Sequence, residues 1–306
     1  MSDFLNILDA TLLNSIMRFA TPILLAALGG LLCDRVGLFN IALEGMMLVG
    51  AFAAVVGNYY LGSAFLGVVV ACLAAALVSA LFGLLTINLK GDVIVVGIAT
   101  NLLTSGLTVF LLRALFDVKG AFQDPRLVPL EKLDLPALMA IPLIGPLLSN
   151  HTWVVYLTLI LVAVLQVVLF RTPLGLRMRG IGEQPEAAAT LGVSVKRLRY
   201  LAVLACGLLC GLAGAQLSLG NVTLFVENMS AGRGWIAVVS VMLGQSTPIG
   251  VFLASTLFGF ADSLGFRLQG LGLASQFTGM VPYLVTLLAL FFLRARQKRQ
   301  RSALAV

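Results

Sequence analysis

Asn40 and Glu44 are polar residues within a long apolar stretch, and their spacing would let both contact one polar solute. Residues four positions apart share a helix face, and Gly37 lies one turn earlier on the same face. A carboxylate at bilayer depth costs about 2.5–3.5 kcal/mol on insertion scales, so this face is expected to point into protein or a cavity. The alternative is that Glu44 lies at the membrane surface and caps the apolar helix that follows.

Asn101 belongs to a second polar stripe, Thr100–Ser105, whose polar members recur at helical spacing in a later apolar run. An amide both donates and accepts hydrogen bonds, as contact with a polar solute requires, but bonding to a neighbouring helix is the more common role. Phe39 and Trp235 offer flat apolar faces to a ring, with simple packing as the alternative. The predicted solute path comprises Phe39, Asn40, Glu44, Asn101 and Trp235.

The sequence lacks the residue patterns of common enzyme sites. It contains no Gly-Lys dipeptide, which excludes a GxxxxGK[ST] phosphate loop, and its single histidine excludes an HExxH zinc site. Cys206 and Cys210 are four residues apart, yet no histidine or carboxylate accompanies them. We therefore predict that the chain is not an enzyme, holds neither metal nor cofactor, and uses its cysteines as small helix-packing residues.

The composition indicates a polytopic membrane protein. Of 306 residues, 60% are hydrophobic and 11% are charged, whereas soluble domains average about 25% charged. Lipid offers backbone groups no partner, so we predict a single all-α transmembrane domain, 1–306, with eight or nine spans. Gly232, Gly234, Gly244 and Pro248 interrupt one apolar run and predict broken or re-entrant segments. The predicted spans are 11–32, 41–58, 63–87, 93–112, 151–170, 198–217, 232–244, 249–266 and 278–293.

Basic residues predict the orientation in the membrane. The net charge is +7, and eleven of the twenty Lys and Arg residues lie in 171–199 and 294–301. Short loops rich in Lys and Arg stay in the cytosol, which assigns the loop 171–200 and the basic tail 294–306 to that side and argues against nucleic-acid binding. The charge-balanced segment 113–134 and the polar loop 219–228 are assigned to the outer face.

The loop 171–200 contains local signals for two short helices. Thr172-Pro173 provides a capping hydroxyl and a proline at the first helical position, and Gly180 and Gly182 are predicted to break this helix. A second helix follows, and Gly192 is expected to close it. With about two turns, it is too short to be stable alone in water, so we expect it to rest against another surface.

Within this loop, Glu186-Ala187-Ala188 followed by Gly192 resembles the EAA-xxx-G loop of permease subunits in bacterial ABC importers. In that family the loop forms a coupling helix, which sits in a cleft of the ATPase subunit. The resemblance implies that an ABC ATPase, itself the binder of ATP and Mg²⁺, docks against this part of the chain. The implied coupling residues are Gly182, Glu183, Pro185, Glu186, Ala187, Ala188 and Gly192.

The run from Gly37 to Met47, GLFNIALEGMM, resembles a signature of permeases in the sugar and nucleoside branch of ABC importers. Further similar pieces follow in the family's order, from Thr21 to Gly30, from Arg199 to Ala215 and from Gly232 to Pro248. At 306 residues, the chain is similar to the smaller of the two unlike permeases in nucleoside systems.

This resemblance implies a multi-pass subunit of the bacterial cytoplasmic (inner) membrane that translocates a nucleoside. It also implies three partners, which are the ATPase, a second permease in a heterodimer, and an extracytoplasmic substrate-binding lipoprotein. A monosaccharide such as ribose is the alternative solute. A secondary transporter with Glu44 or Asp92 as proton carrier is the alternative mechanism, although such a carrier needs no docking helix between its spans.

The predicted orientation can be tested by cysteine labelling in a background without native cysteines. Single cysteines at positions 184 and 298 should react with an impermeant maleimide only after the cytosolic side is opened. A cysteine at position 124, on the predicted outer face, is the matched control and should react in intact cells. Strong labelling of position 184 or 298 in intact cells would contradict this orientation.

Overall fold

The computed structural model describes residues 10–133, 150–270 and 284, and most residues in these ranges are helical. Two π-helical segments, Leu84–Asn88 and Gln216–Asn221, directly continue the helices Ala64–Gly83 and Val195–Ala215. The helices in chain order are α1 (Ala10–Arg35), α2 (Leu43–Leu61), α3 (Ala64–Gly83), α4 (Val93–Phe116), α5 (Trp153–Arg171), α6 (Pro173–Glu183), α7 (Pro185–Thr190), α8 (Val195–Ala215), α9 (Arg233–Leu243) and α10 (Pro248–Gly270).

Six helices within the described residues are long and apolar enough to cross a membrane, whereas the sequence predicted eight or nine spans. The predicted span 232–244 is the 11-residue α9, which at about 16 Å is too short for a hydrocarbon core of about 30 Å. The predicted span 41–58 corresponds to α2, whose hydropathy is lowered by Glu44 and Asn58. Except for residue 284, the predicted span 278–293 and the tail 294–306 lie outside the described residues. The six helices are Asn14–Arg35, Ala64–Asn88, Val93–Phe116, Trp153–Arg171, Val195–Asn221 and Pro248–Leu268.

The core of the bundle is built around α2, in which 14 of 19 residues are buried. Helix α2 packs against α3, α4 and α8, while α1 packs against α8, α9 and α10. Glycines allow close approach of the backbones: a Cβ on Gly50 would lie 2.7 Å from Gly211 Cα, and one on Gly214 would lie 2.3 Å from Ala51 N. Such contacts between small residues give membrane helices the packing that holds them together in lipid.

Contacts between helix ends define the two ends of the bundle. At one end, termed basal, Arg35 at the end of α1 donates from Nε to Ser246 O at 2.6 Å, in the turn between α9 and α10. The loop 171–200 lies at this end too, because Arg199 donates to the carbonyl of the residue that follows Arg35. At the opposite end, termed apical, Arg18 of α1 donates to Asn221 O beyond α8 at 2.6 Å.

Four two-residue strands near the apical end, among the described residues, are not anticipated by the all-α prediction. β1 (Ala121–Phe122) pairs antiparallel with β4 (Phe225–Val226), and β2 (Lys132–Leu133) pairs antiparallel with β3 (His151–Thr152). Strands this short leave no alternating pattern in a sequence, so hydrophobic periodicity cannot reveal them. Their pairing ties the connection after α4 to the segments that lead into α5 and α9.

Candidate translocation site and coupling segment

Helix α9 begins inside the bundle without a capping side chain of its own. Its first N–H groups need acceptors, and the N-cap residue, Gly232, has a φ of 83° and no side chain to supply one. Glu44 of α2 supplies two acceptors: Oε1 accepts from Gly232 N at 2.9 Å, and Oε2 accepts from Gly234 N at 2.6 Å. The helix dipole also favours a carboxylate at this position. We term this contact the Glu44 clasp.

Gly234 provides the space that the Glu44 clasp needs. A Cβ at this position would lie 2.4 Å from both the backbone N and the Cα of Glu44. Any larger residue would therefore push α9 away from α2. The signature run 37–47 and the glycine-rich piece that begins at Gly232 meet in space at this contact.

The Glu44 clasp lies part of the way along the bundle rather than at its end. Gly45 N, next to Glu44, donates to Asn101 Oδ1 at 2.8 Å, and Asn101 Nδ2 donates to Ile41 O at 3.0 Å. Because Asn101 is the ninth residue of the 24-residue α4, α2 begins about a third of the way along α4 rather than beside its end. Asn101 therefore caps α2, just as Glu44 caps α9.

Asn40 is turned into the packed core, with 3% of its surface exposed. Its Oδ1 accepts from Ala42 N at 2.9 Å, and its Nδ2 lies 3.4 Å from Cys206 Sγ. Sulfur is a weak acceptor, so the amide is held mainly by the turn that leads into α2. Among the predicted path residues, Phe39 and Trp235, 37% and 45% exposed, lie on an open surface of the chain.

The segment 222–232 begins in the loop assigned to the outer face, but it descends from β4 to the Glu44 clasp. Its backbone is irregular, because Thr223, Asn228 and Ala231 have positive φ values of 50°, 56° and 46°. Asn228 Oδ1 accepts from Ser105 Oγ of α4 at 2.8 Å. No local pattern relates two residues 123 positions apart, so sequence reasoning misses this contact.

A partly buried ion pair holds α9 against α10. Arg233 Nε, in the first residue of α9, lies 3.7 Å from Asp262 Oδ2. Charged side chains within a membrane bundle are expensive unless they are paired. This pair, also missed by sequence reasoning, links the start of α9 to α10.

The loop 171–200, termed the coupling segment, contains α6 and α7 and the start of α8. Helix α6 begins as predicted, with the Thr172 hydroxyl accepting from a backbone N–H of the first turn and Pro173 as the first helical residue. The predicted break at Gly180 and Gly182 is wrong, since α6 continues through both. Gly182 instead allows close approach, because a Cβ there would lie 2.5 Å from Arg35 O.

Helix α7 contains the residues that resemble the EAA loop. Pro185 is its first residue, Glu186 lies in its first turn, and Gly192 follows it with a φ of 78°, as predicted. Ala188 is buried, whereas Ala187 is exposed. Helix α7 rests against α6 and α8, which explains how a six-residue helix is held in place.

A groove of about 370 Å³ lies between α6 and α7. Leu176 and Leu191, 65% and 83% exposed, flank the groove, and Arg177 and Glu183 line it as well. Gly180 leaves open space in the groove, because a Cβ there would have no neighbour within 4 Å. Exposed apolar side chains framed by polar ones are typical of a surface that binds another protein.

A third polar side chain, Asp92, caps a helix in the same way as Glu44 and Asn101. Asp92 caps α4, since its Oδ1 accepts from Ile94 N and Val95 N, each at 3.0 Å. Within the part of the chain that the structure describes, no three His, Cys, Asp or Glu side chains are grouped as a metal site. Asp92 and Glu44 thus both accept hydrogen bonds from backbone N–H groups at helix starts.

The described residues form a helical bundle with six helices long enough to cross a membrane, a short apolar helix within it, and a helical pair at one end. A family model described as branched-chain amino acid transport system / permease component matches residues 12–290, and the chain belongs to this family. It is accordingly a multi-pass protein of the cytoplasmic membrane.

Named relatives and one solved structure agree with this assignment. The chain is 39% identical to a Haloferax volcanii protein named as a glucose ABC transporter permease, over 87% of this chain and 80% of that one. It is 34% identical to a guanosine ABC transporter permease of Bacillus subtilis (89% and 88% covered) and 36% identical to a nucleoside ABC transporter permease of Lactococcus lactis (90% and 90%). A structure of a metal-chelate type ABC transporter in an inward-facing conformation shares the fold, with a TM-score of 0.54, 18% identity, and 91% of this chain and 85% of that one covered.

Loss of the Glu44 clasp should destabilise the protein. Glu44→Leu leaves two partly buried N–H groups at the start of α9 without an acceptor, at up to about 1–3 kcal/mol each, whereas Glu44→Gln keeps one acceptor oxygen. Melting temperatures in detergent, measured by size-exclusion chromatography of heated samples, should fall from wild type to Glu44→Gln to Glu44→Leu. Gly234→Ala should resemble Glu44→Leu, and the exposed Glu131→Leu is the control. If Glu44→Leu melts with the wild type, the clasp does not contribute to stability.

Proposed function

We propose that this chain is a permease subunit of an ATP-driven importer and that its solute is a nucleoside. The observation that carries the proposal is the short helix α9, which starts at the Glu44 clasp, part of the way along the bundle, and ends in the turn beside Arg35. One helix thereby connects the centre of the bundle, where a solute would cross, with the end at which an ATPase would dock.

The solute path is proposed to follow the segment 222–232. Non-helical backbone at membrane depth is tolerated only where it is buried in protein or lines a water-filled cavity, and Asn228 and Ala231 are exposed. Phe39 and Trp235 would contact the solute directly. The other predicted path residues, Asn40, Glu44 and Asn101, would shape the wall of the path by holding the starts of α2 and α9.

The electrostatics of the site favour a neutral solute. Open helix N-termini bind anionic groups in transporters, but here Glu44 and Asn101 already occupy the N-termini of α9 and α2. A carboxylate-bearing solute such as an amino acid would find neither helix start free, whereas a nucleoside needs no charged partner. A nucleoside is therefore the better cargo, although the family description names branched-chain amino acids.

Exposed aromatic surfaces distinguish a nucleoside from a sugar. A base can stack on Trp235 or Phe39, and stacking of a base on an aromatic side chain is worth about 1–3 kcal/mol. The similarity to guanosine and nucleoside permeases supports this choice. A monosaccharide such as ribose is the second candidate, favoured by the similarity to the glucose permease.

The partners follow from the same proposal. The basal end would face the cytosol, where an ABC ATPase would bind ATP and Mg²⁺ and dock on the coupling segment, so that this chain itself performs no catalysis. A second, unlike permease would cover the open surface that carries Phe39 and Trp235, and a substrate-binding lipoprotein would deliver solute at the apical end. With α2 and the sequence-predicted 278–293 counted as spans, the proposed total is eight.

The identity of the solute can be tested by measuring uptake in cells that carry the whole transporter. Uptake of labelled guanosine should be saturable and competed by excess adenosine, but not by leucine or ribose. Trp235→Leu should lower the uptake rate about fivefold or more through lost stacking, while Trp153→Leu in α5 is the matched control. Saturable ribose uptake, together with nucleoside uptake that excess nucleoside leaves unchanged, would overturn the nucleoside assignment.

Filling the groove between α6 and α7 should block ATPase docking. Gly180→Trp places an indole in open space, so α6 should stay folded while the surface is obstructed, and Ala187→Trp should act in the same way. Copurification of coexpressed ATPase should fall roughly tenfold, as expected when a fitted contact is overpacked, but persist with Gly180→Ala. Gly106→Trp, at an equally unobstructed glycine of α4, is the control. Undiminished copurification with Gly180→Trp would exclude this groove as the docking surface.

A further inference from the structure

The coupling segment is packed directly on the end of α1. A Cβ on Gly182 of α6 would lie 2.5 Å from Arg35 O and 3.4 Å from Gly37 N. The two backbones are therefore in contact, with no side chain between them. A contact of this kind cannot be compressed, so any displacement of α6 towards the bundle also displaces the end of α1.

The Arg35 side chain strengthens this contact. Its guanidinium carbon lies 5.5 Å from the ring centroid of Phe170 at the end of α5, and the guanidinium carbon of Arg179 in α6 lies 5.1 Å from the same centroid. Both cations are thus attracted to one aromatic ring. Arg35, Phe170 and Arg179 join α1, α5 and α6 at the basal end.

Arg35 also holds the turn that connects α9 to α10. Its Nε donates to Ser246 O at 2.6 Å, and its Nη2 donates to Gln245 O at 3.4 Å. The neighbouring Asp34 carboxylate accepts from the Ser246 hydroxyl. Gln245 and Ser246 both have positive φ values, 51° and 50°, which residues other than glycine rarely adopt. This turn therefore depends on Asp34 and Arg35 for its shape.

A single short helix leads from this turn to the Glu44 clasp. Helix α9 covers only 11 residues, and its start is held by the Glu44 clasp. Gly244, which follows α9, is packed so closely that a Cβ there would lie 2.4 Å from Val251 N of α10. The turn and α9 are therefore rigidly connected, and Trp235 lies one residue beyond Gly234 of the clasp.

We propose that Arg35 is a positioning residue that couples ATPase movement to the translocation path. The proposal rests on the proposed function, since it takes the coupling segment as the ATPase docking surface. When docking shifts α6, the end of α1 and the turn at 245–246 shift with it. Helix α9 then pivots at the Glu44 clasp and carries Trp235 with it. The planar guanidinium suits this role, because it stacks on Phe170 while donating to two carbonyls, which an ammonium group does with less defined geometry.

Coupling can be measured in proteoliposomes that contain this chain, its ATPase, the second permease and the binding protein. ATP hydrolysis stimulated by the nucleoside-loaded binding protein and nucleoside uptake are recorded in the same vesicles. Arg35→Gln should leave stimulated hydrolysis unchanged while uptake per ATP falls about fivefold or more. Arg35→Lys should retain more of the wild-type uptake per ATP than Arg35→Gln does. The control is Arg126→Gln, which removes the ion pair of the exposed Arg126 with Asp124, outside the segment 222–232.

A second variant covers the case in which Arg35→Gln does not assemble. Ser246→Gly removes the hydroxyl bound by Asp34 while glycine accepts the positive φ without strain, so uptake per ATP should fall although the complex still forms. Unchanged uptake per ATP in the variants that assemble, or hydrolysis and uptake that fall in equal proportion, would overturn the role of Arg35. A wild-type complex with neither hydrolysis nor uptake would instead overturn the proposed function.

Discussion

The arrangement of the bundle depends on helix N-termini that lie inside it rather than at its surface. At a surface, water binds the unpaired N–H groups of a helix start, but at membrane depth each one needs a partner within the protein. Glu44 meets this need for α9, and Asn101 meets it for α2. Because each cap comes from a different helix, the two caps also determine how α2, α4 and α9 surround the proposed path.

Features that depend on neighbouring residues were predictable from the sequence. Hydropathy located the long apolar helices, and the start of α6 and both ends of α7 followed from Thr172, Pro185 and Gly192. Capping hydroxyls, first-turn prolines and left-handed glycines act on backbone groups a few residues away, so their effect is visible in a short stretch of sequence. The family was likewise recognisable from one uninterrupted run, residues 37–47.

Contacts between distant residues were not predictable in this way. The polarity of Glu44 and its helical spacing from Asn40 indicate a solute-facing surface, but no local rule points to partners 188 and 190 residues away. A glycine at position 182 predicts a break in the helix. Gly182 nevertheless lies within α6, where its lack of a side chain allows contact with Arg35. A glycine that ends a helix and one that admits a neighbouring backbone look alike in sequence, and only the tertiary structure distinguishes them.

The Glu44 clasp also imposes an order on biosynthesis. The 188 to 190 residues between Glu44 and its partners take roughly 10 to 40 s to translate, at about 5–20 residues per second. During that interval Gly232 and Gly234 have not been made, and a lone carboxylate is costly inside lipid. Helix α2 must therefore remain near water, or be shielded by the insertion machinery, until α9 enters the membrane. The Glu44 clasp is thus completed only after α9 has been made, long after α2 leaves the ribosome.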